Sequence, residues 1–293
     1  MMRSGVQKIL PRKIRARMKS PLSALLFAAV WLAAIITLSA LAFIIVYILI
    51  KGVPHLNPEL FAWKYDSENV SLMPALINTL EMTALTLIFA TPVGIGAAVY
   101  LTEYAKRGNR LVGCIRIAAE TLSGVPSIVF GLFGALFFVK YLNFGLSLLS
   151  GALTLAVMIL PLIMRTTEEA LLAVPDSYRE GSFALGAGML RTVFHVILPS
   201  AVPGILSGVI LAIGRIVGES AALIFTAGTV AEAAKNVLDS ARTLSVHLYV
   251  ISGEGLYIDQ TYAAAVVLLA LVILINAVSG YIAKRLGRGE NNG

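Results

Sequence analysis

Long uncharged stretches alternate with short polar segments along most of this chain. Stretches of at least 19 residues without a charged side chain include 22–50, 82–102, 121–139, 141–164 and 260–283. Because a helix of about 20 residues crosses about 30 Å of hydrocarbon, each stretch predicts a transmembrane helix. A further stretch at 200–225 is long enough only if Arg215 and Glu219 lie within the membrane. The pattern therefore predicts an all-α integral membrane protein with six transmembrane helices.

Composition supports the same class. Apolar residues make up 58% of the chain and charged residues only 13%, whereas about a quarter of the residues of a soluble domain are charged. A water-soluble globule is therefore excluded. The single cysteine, Cys114, excludes an internal disulfide, and the three histidines lie too far apart along the chain to predict a shared metal site.

The net charge of +7 would suit a nucleic-acid partner. The positions of the charges along the chain decide between this interpretation and a role in membrane topology. Seventeen of the 23 Lys and Arg residues fall in segments that share one side of the predicted membrane: 1–20, 103–116, 165–199 and 284–293. The segments on the other side hold five. This asymmetry predicts a multi-pass protein of the plasma (inner) membrane with both termini in the cytoplasm. The basic N-terminus could alternatively be a nucleic-acid arm, but it lacks aromatic residues and adjoins a span.

The polar interruption from Glu180 to Pro199 predicts a docking loop between two spans. Pro175 can occupy the first turn of an amphipathic helix. Gly186 can then supply the left-handed residue that ends this helix. Pro199 is expected to close a second short helix at the membrane, and Gly181 and Ser182 leave a nearly bare face for a partner backbone. The alternative is an ordinary cytoplasmic loop with two surface helices.

The spacing of this loop resembles the cytoplasmic coupling loop of permease subunits in type I ATP-binding-cassette importers. Glu-Gly-Ser at 180–182 stands where Glu-Ala-Ala is usual, and Val196 replaces isoleucine. The sequence GRIVGESAAL at 214–223 resembles the G-R-x-x-G-E-T-A-x-L of phosphate transport permeases, with the A-type subunit the closer match. Three further segments resemble that subunit: YLTEYA at 100–105, GVPSIVFGLFG at 124–134 and LPLIMRTTEEA at 160–170. The resemblance covers about residues 70–285.

The resemblance implies a permease subunit that moves inorganic phosphate by alternating access. Its expected partners are a second permease of similar fold, two cytoplasmic ATPase subunits and an external phosphate-binding protein. The residues expected to couple transport to the ATPases are Glu180, Gly181, Ser182, Gly186, Leu198 and Pro199. The chain has no G-x-x-x-x-G-K-[ST] phosphate loop, so we expect no enzyme activity and no cofactor here. ATP and Mg²⁺ are implied at the partner subunits.

Two ionisable residues inside the 200–225 stretch are the candidate anion pathway. Arg215 and Glu219 lie four residues apart, so a helix would place them on one face. They are expected to pair with each other, to line a wet path, or both. Arg presents a fixed fork to phosphate oxygens, and Glu could accept a hydrogen bond from a protonated phosphate. Glu81 and Glu120 are expected near helix ends instead.

The chain divides into a basic tail, a first span, an outside loop, a core and a second tail: 1–20, 21–50, 51–71, 72–283 and 284–293. The core is expected to hold five transmembrane helices, the coupling loop 165–199 and an outside segment 226–260. That segment carries two apolar stretches, 230–238 and 244–251, which favour short helices forming a gate, a receptor platform or a solvated cap. Glycine pairs at 204/208 and 214/218 favour close helix packing.

Three alternatives to a phosphate permease stay open on sequence. A permease for another oxyanion, such as sulfate or molybdate, would share every feature above. An ion-coupled secondary transporter or channel would use the same spans without an ATPase, but neither the coupling loop nor the absence of a detectable repeat favours it. A membrane-embedded enzyme is disfavoured because no cluster of catalytic residues occurs.

Overall fold

The apolar stretches form helices in the computed structural model, which describes residues 21–106 and 108–288. No strand occurs within those ranges. The helices are α1 (Pro21–Gly52), α2 (Met73–Val99), α3 (Arg110–Ser123), α4 (Ser127–Gly134), α5 (Leu148–Leu172), α6 (Asp176–Ala184), α7 (Met189–Thr192), α8 (Leu198–Val217), α9 (Ala221–Ile224), α10 (Leu244–Glu254) and α11 (Ile258–Arg288). The predicted basic tail 1–20 lies outside the described residues.

Five helical spans in the described ranges are long and apolar enough to cross a membrane. A sixth arises if α3 and the helix that follows it count as one broken span, since the two are bent by 103°. The break divides the span predicted at 121–139: its first three residues end α3, and the chain is helical again over 127–141. Pro126 has an extended ψ of 140°, and a proline disfavours the helical conformation of the residue before it.

The span predicted at 141–164 lies further along the chain, as α5. Ser147 fixes its start, because its Oγ accepts a hydrogen bond of 3.1 Å from the Ser150 N–H. Charged side chains do not end the helix, since Arg165 and Glu169 pair one turn apart, with 3.1 Å between Nε and Oε1. The predicted loop 165–199 therefore begins with two further turns of α5.

The centre of the bundle is α5, packed between α2 and α8. Close approach depends on small residues: a Cβ at Gly204 would collide with Ala170, and one at Gly208 with Thr166. The first predicted glycine pair is thus confirmed as a packing site. Gly214 and Gly218 are different, because the nearest atoms to an added Cβ lie at 3.8 Å and 3.6 Å.

The helix α1 lies at the edge of the bundle and packs along α11. Tyr47 and Tyr262 hold the two helices together, with ring centroids 5.9 Å apart. Gly52 leaves no room for a side chain against the Tyr262 backbone. The remaining apolar surface of α1 is exposed, as expected for a helix surrounded by lipid.

Pro199 does not close a second short helix, so that prediction is wrong. Residues Val193–Ile197 form a π-helical turn that leads directly into α8, in which Pro199 is the second residue. The Leu198 N–H donates to the carbonyl of Val193, five residues back. The wider turn accommodates the ring that would otherwise clash with the preceding turn of an α-helix.

The segment 226–260 contains only one of its two expected helices among the described residues. The stretch 230–238 has turns and bends without a helix, whereas 244–251 lies inside α10. Gly255 ends α10 with a φ of 68°, a left-handed conformation that glycine adopts without strain. This segment contacts the start of α5, because the Ser147 N–H donates to the carbonyl of Thr226. We call this the far end of the bundle and the region of α6 and α7 the coupling end.

Candidate functional site

The coupling end is built around α6. Pro175 is the residue before its first turn, and Gly186 follows it with a φ of 82°. Gly186 matches the predicted left-handed stop, whereas Pro175 lies one residue before the first turn in which it was predicted. Ser182 Oγ lies 2.8 Å from Thr192 Oγ1, which ties α6 to α7. The predicted pair of short helices is therefore present, with the second one continuing into α8.

The outer face of the coupling end is open. An atom added at the Cβ position of Gly181 or Gly186 would meet nothing within 4 Å. Glu180 is exposed, and Leu185 is 91% exposed. A cleft of 470 Å³ runs between this face and His195 on the following turn. Tyr178, which lines the same cleft as Leu185, is also exposed, and grouped apolar side chains are typical of a surface that a partner covers.

Ser182, Leu198 and Pro199 differ from the other predicted coupling residues. All three are half-buried rather than exposed. Ser182 binds Thr192, while Leu198 and Pro199 form the first turn of α8. In this chain they shape the coupling end from within, and their contact with a partner stays a prediction.

Arg179 is a candidate functional residue that the sequence did not reveal. Its Nη2 and Nε donate to Glu103 Oε1 and Oε2 over 2.7 Å and 3.3 Å. Its other hydrogen bonds reach the carbonyls of Leu171 in the last turn of α5 and of Val174 just beyond it, and the carboxylate of Asp176 in its own helix. Hydrogen bonding to Glu103 is the main reason that the pKa of Arg179 is raised, with burial acting in the opposite direction.

This Arg179–Glu103 clamp joins α6 to two spans. The Glu103 side chain is only 4% exposed and that of Arg179 17%. Bidentate pairing in such a setting is strong and directional. The only sequence signal was Glu103 in the YLTEYA segment, which the resemblance identified without giving it a role. The partner could not be found from spacing, because 76 residues separate the two.

Arg215 and Glu219 do not share a helix face, so that prediction is wrong. Gly218 ends α8, and Glu219 lies beyond it. The Glu219 carboxylate instead accepts a hydrogen bond of 3.2 Å from the Ala222 N–H at the start of α9. The ion pairs of the described residues do not include one between Arg215 and Glu219.

Arg215 points into a cleft of 620 Å³ beside α5 and α11. The guanidinium is exposed, and Ser207 and Asn276 contribute polar groups to the same cleft. An exposed Arg on an otherwise apolar helix is free to meet an anion. The structure thus places Arg215 in an open cleft, and its part in an anion pathway stays a prediction.

A second polar cleft, of 530 Å³, lies between α3 and α5. Arg116 pairs with Glu168 across it, and Glu168 is nearly buried. Glu120, expected near a helix end, is exposed on the wall of this cleft. Glu81 is likewise exposed, two turns from the start of α2. Within the described residues, no three His, Cys, Asp or Glu side chains are grouped to hold a metal ion.

Comparison with known proteins identifies relatives across most of the chain. The profile of the family described as binding-protein-dependent transport system inner membrane component matches residues 90–289. A protein of Bacillus subtilis described as probable ABC transporter permease protein YqgI is 35% identical over 254 residues, which are 80% of this chain and 86% of that protein. The phosphate transport system permease protein PstA of Pasteurella multocida is 36% identical over 220 residues, 74% of this chain and 75% of that protein.

Solved structures share the fold. A chain of the bacterial alginate ABC transporter, in complex with its pentasaccharide-bound periplasmic protein, superposes with a TM-score of 0.66 at 15% identity, covering 90% of this chain and 95% of that one. A chain of the MetNI methionine ABC transporter in an inward-facing conformation gives a TM-score of 0.58 at 23% identity, covering 73% and 95%. At these identities the likeness concerns the arrangement of the helices alone.

Proposed function

We propose that the substrate of this chain is inorganic phosphate. The chain belongs to the family of binding-protein-dependent transport system inner membrane components and is a permease subunit of an ATP-binding-cassette importer. The observation that carries the proposal is the 36% identity to a phosphate transport permease over three quarters of both chains. The exposed Arg215 supports it, since a guanidinium offers two parallel donors to a phosphate oxygen pair.

The proposed assembly has four kinds of component. A second permease of similar fold completes the pathway, two ATPase subunits dock at the coupling end, and an external phosphate-binding protein delivers the anion at the far end. Hydrolysis of ATP, with its Mg²⁺, belongs to the ATPase subunits. This chain then acts by binding and by movement rather than by chemistry of its own.

Coupling would begin at the open face of α6. Closure of the ATPase pair moves Glu180, Gly181 and the neighbouring turn as one body. The Arg179–Glu103 clamp passes this movement to the end of α2, and the Leu171 carbonyl passes it to α5. Since α5 packs against α8, the displacement reaches the helix that carries Arg215. The spans would thereby alternate between inward and outward access.

Arg215 and Glu219 take separate roles in this proposal. Arg215 contacts the anion in its cleft, with Asn276 as a neutral neighbour. Glu219 fixes the start of α9 through the Ala222 N–H, which positions the chain beyond α8. A carboxylate held by a backbone donor is also an acceptor for the proton of a hydrogen phosphate.

Uptake of radiolabelled phosphate into vesicles tests the proposal. Arg215→Ala should lower kcat/KM about tenfold to a hundredfold, because a hydrogen bond to a charged group contributes about 1.5–3 kcal/mol. Arg215→Lys should recover little, since it lacks the fork. Lys64→Ala, which removes an exposed charge at the far end, is the matched control.

Competition decides the substrate in the same vesicles. Excess sulfate or molybdate should leave phosphate uptake unchanged. If either anion is taken up in preference, the chain serves another oxyanion and the phosphate assignment is wrong. Near-normal uptake by the Arg215→Ala, Glu219→Ala double variant would remove Arg215 from the pathway.

A further inference from the structure

A guanidinium is buried at the far end without a counter-charge. Arg242 is 4% exposed, and neither its Nε nor its Nη2 has a hydrogen-bond partner. The ion pairs of the described residues do not include Arg242. Its one aromatic contact is with Tyr65, whose ring centroid lies 5.0 Å from the guanidinium carbon. Burial of a charge with so little compensation is costly unless a partner arrives.

The neighbouring residue His247 also lacks hydrogen-bond partners for its side chain. The side chain is fully buried, and both ring nitrogens lack a hydrogen-bond partner. Burial, and then the charge of Arg242, lower the pKa of His247 to about 3. The helix α10, which carries it, is not among the membrane-spanning helices. The imidazole is therefore neutral at physiological pH and offers one N–H donor and one acceptor.

We use the name far-end recess for the buried group formed by three side chains, Arg242, His247 and Tyr65. The Tyr65 ring contacts both of the others, since its centroid also lies 6.1 Å from that of His247 at 84°. Tyr65 comes from the loop before α2, while the other two belong to the segment 226–260. The recess thus closes where two separate far-end segments meet.

The backbone around the recess is held firmly. The Asn78 side chain donates to the carbonyls of Arg242 and Glu232 and accepts from the Ala234 N–H. Thr79 Oγ1 accepts from the Leu244 N–H over 2.8 Å. These bonds account for the neighbouring backbone groups and leave the Arg242 and His247 side-chain donors as the unsatisfied ones.

The recess also connects to the helix that carries Arg215. Ser245 Oγ donates to the carbonyl of Gly218, the residue at the end of α8, over 3.0 Å. Ser245 is three residues from Arg242, and Gly218 is three from Arg215. One hydrogen bond therefore separates the two short stretches of chain that bear the far-end cation and the cleft cation.

We propose that the far-end recess binds a free tetrahedral oxyanion, which accepts hydrogen bonds from Arg242 Nε and Nη2 and from His247. This deepens the proposed function, on which it rests, by adding an outer station for the same substrate before Arg215. The Nε and Nη2 pair is the edge of a guanidinium that binds two oxygens side by side. A neutral imidazole adds a donor without adding a second charge.

The occupant is a small anion rather than a lipid headgroup. Arg242 is only 4% exposed, so a phosphate that carries two acyl chains is too large to reach it. A free anion is small enough to enter when the hydrogen bonds from Asn78 to the helix-free stretch 228–241 open and this stretch moves aside. Asn78 then acts as the pin that returns the segment to its closed position.

Hydrogen–deuterium exchange of the assembled complex in lipid nanodiscs tests the recess directly. Addition of millimolar inorganic phosphate, against chloride at equal ionic strength, should slow exchange of the α10 amides about tenfold or more. Arg242→Gln should abolish this protection. Lys235→Gln, which removes an exposed charge from the same segment, should retain it. Equal exchange with phosphate and with chloride in the unaltered complex would overturn the proposal.

Two further variants keep the test decisive. Where Arg242→Gln does not assemble, Arg242→Lys and His247→Gln should each assemble and lose most of the protection; protection retained in both overturns the proposal. In vesicles, Arg242→Gln should raise the KM for phosphate about tenfold and leave kcat unchanged. Arg215→Ala should retain the α10 protection while losing uptake. Normal uptake by Arg215→Ala would refute the role of Arg215 in the pathway. It would not affect the far-end recess, which is tested by hydrogen–deuterium exchange.

Discussion

Arg179 connects three parts of the coupling end through a single guanidinium. It binds Glu103 at the end of α2, two carbonyls at the end of α5, and Asp176 in its own helix. Its neighbour Glu180 is exposed and free for a partner. Two adjacent residues of α6 thus face opposite ways, one toward the spans and one toward the docking surface.

Arg179→Ala should uncouple ATP use from transport while leaving the spans inserted. Removal of one partner from a buried pair costs about 3–5 kcal/mol, and here that cost falls on the contact between α6 and α2. The measurement compares phosphate-stimulated ATPase activity with uptake in the same vesicles. Arg191→Ala, an exposed Arg of α7, is the control. Full coupling in Arg179→Ala would show that the clamp is not part of the transmission.

Helix ends can be predicted from the sequence where a nearby capping residue sets them. The stop of α6 at Gly186 was predicted in this way, whereas the start of α5 at Ser147 was not, although it also depends on neighbours in sequence. The prediction that Pro199 closes a short helix was wrong because a π-helical turn leaves room for its ring. The prediction that Arg215 and Glu219 share a helix face was wrong because Gly218 ends the helix between them.

Gly186→Leu should disturb the end of α6 without a collision. An added Cβ meets nothing within 4 Å, so the expected penalty is the backbone strain of a left-handed residue, about 1–2 kcal/mol. We expect normal assembly but reduced uptake per ATP hydrolysed.

Gly188 supplies the matched control for this change. It is equally open, but its φ of −75° suits any residue, so Gly188→Ala should behave as the unaltered chain. Co-purification of the ATPase subunits and uptake are measured together. Normal uptake by Gly186→Leu would mean that this turn does not couple transport to ATP.

The part of the molecule that the structure describes is an all-α permease with five spans, or six if the bent pair counts as one span. Hydropathy predicted this architecture because backbone hydrogen bonds must be satisfied within each span. It could not reveal the Arg179–Glu103 clamp or the far-end recess, whose members meet only after folding. The pairing of Asn78 with a segment more than 150 residues later is of the same kind.

The charge distribution predicts the orientation of this bundle. Reporter fusions after Gly108 and Asp176 should report the cytoplasm, and fusions after Asp66, Asn143 and Asp239 the outside. A phosphatase and a fluorescent reporter give opposite signals and serve as controls for each other. Two or more reversals would contradict the six-span arrangement.

The contact of α1 with α11 has a consequence for biogenesis. The ribosome makes α1 about 200 residues before its partner helix, an interval of about 10–40 s at roughly 5–20 residues per second. During that time only lipid covers the side chains around Tyr47, at little cost, since lipid tails are as apolar as leucine. In nascent chains that stall before residue 258, the side of α1 that normally contacts α11 would therefore stay exposed to lipid. Membrane quality control could recognise this exposed side and so distinguish stalled chains from finished ones.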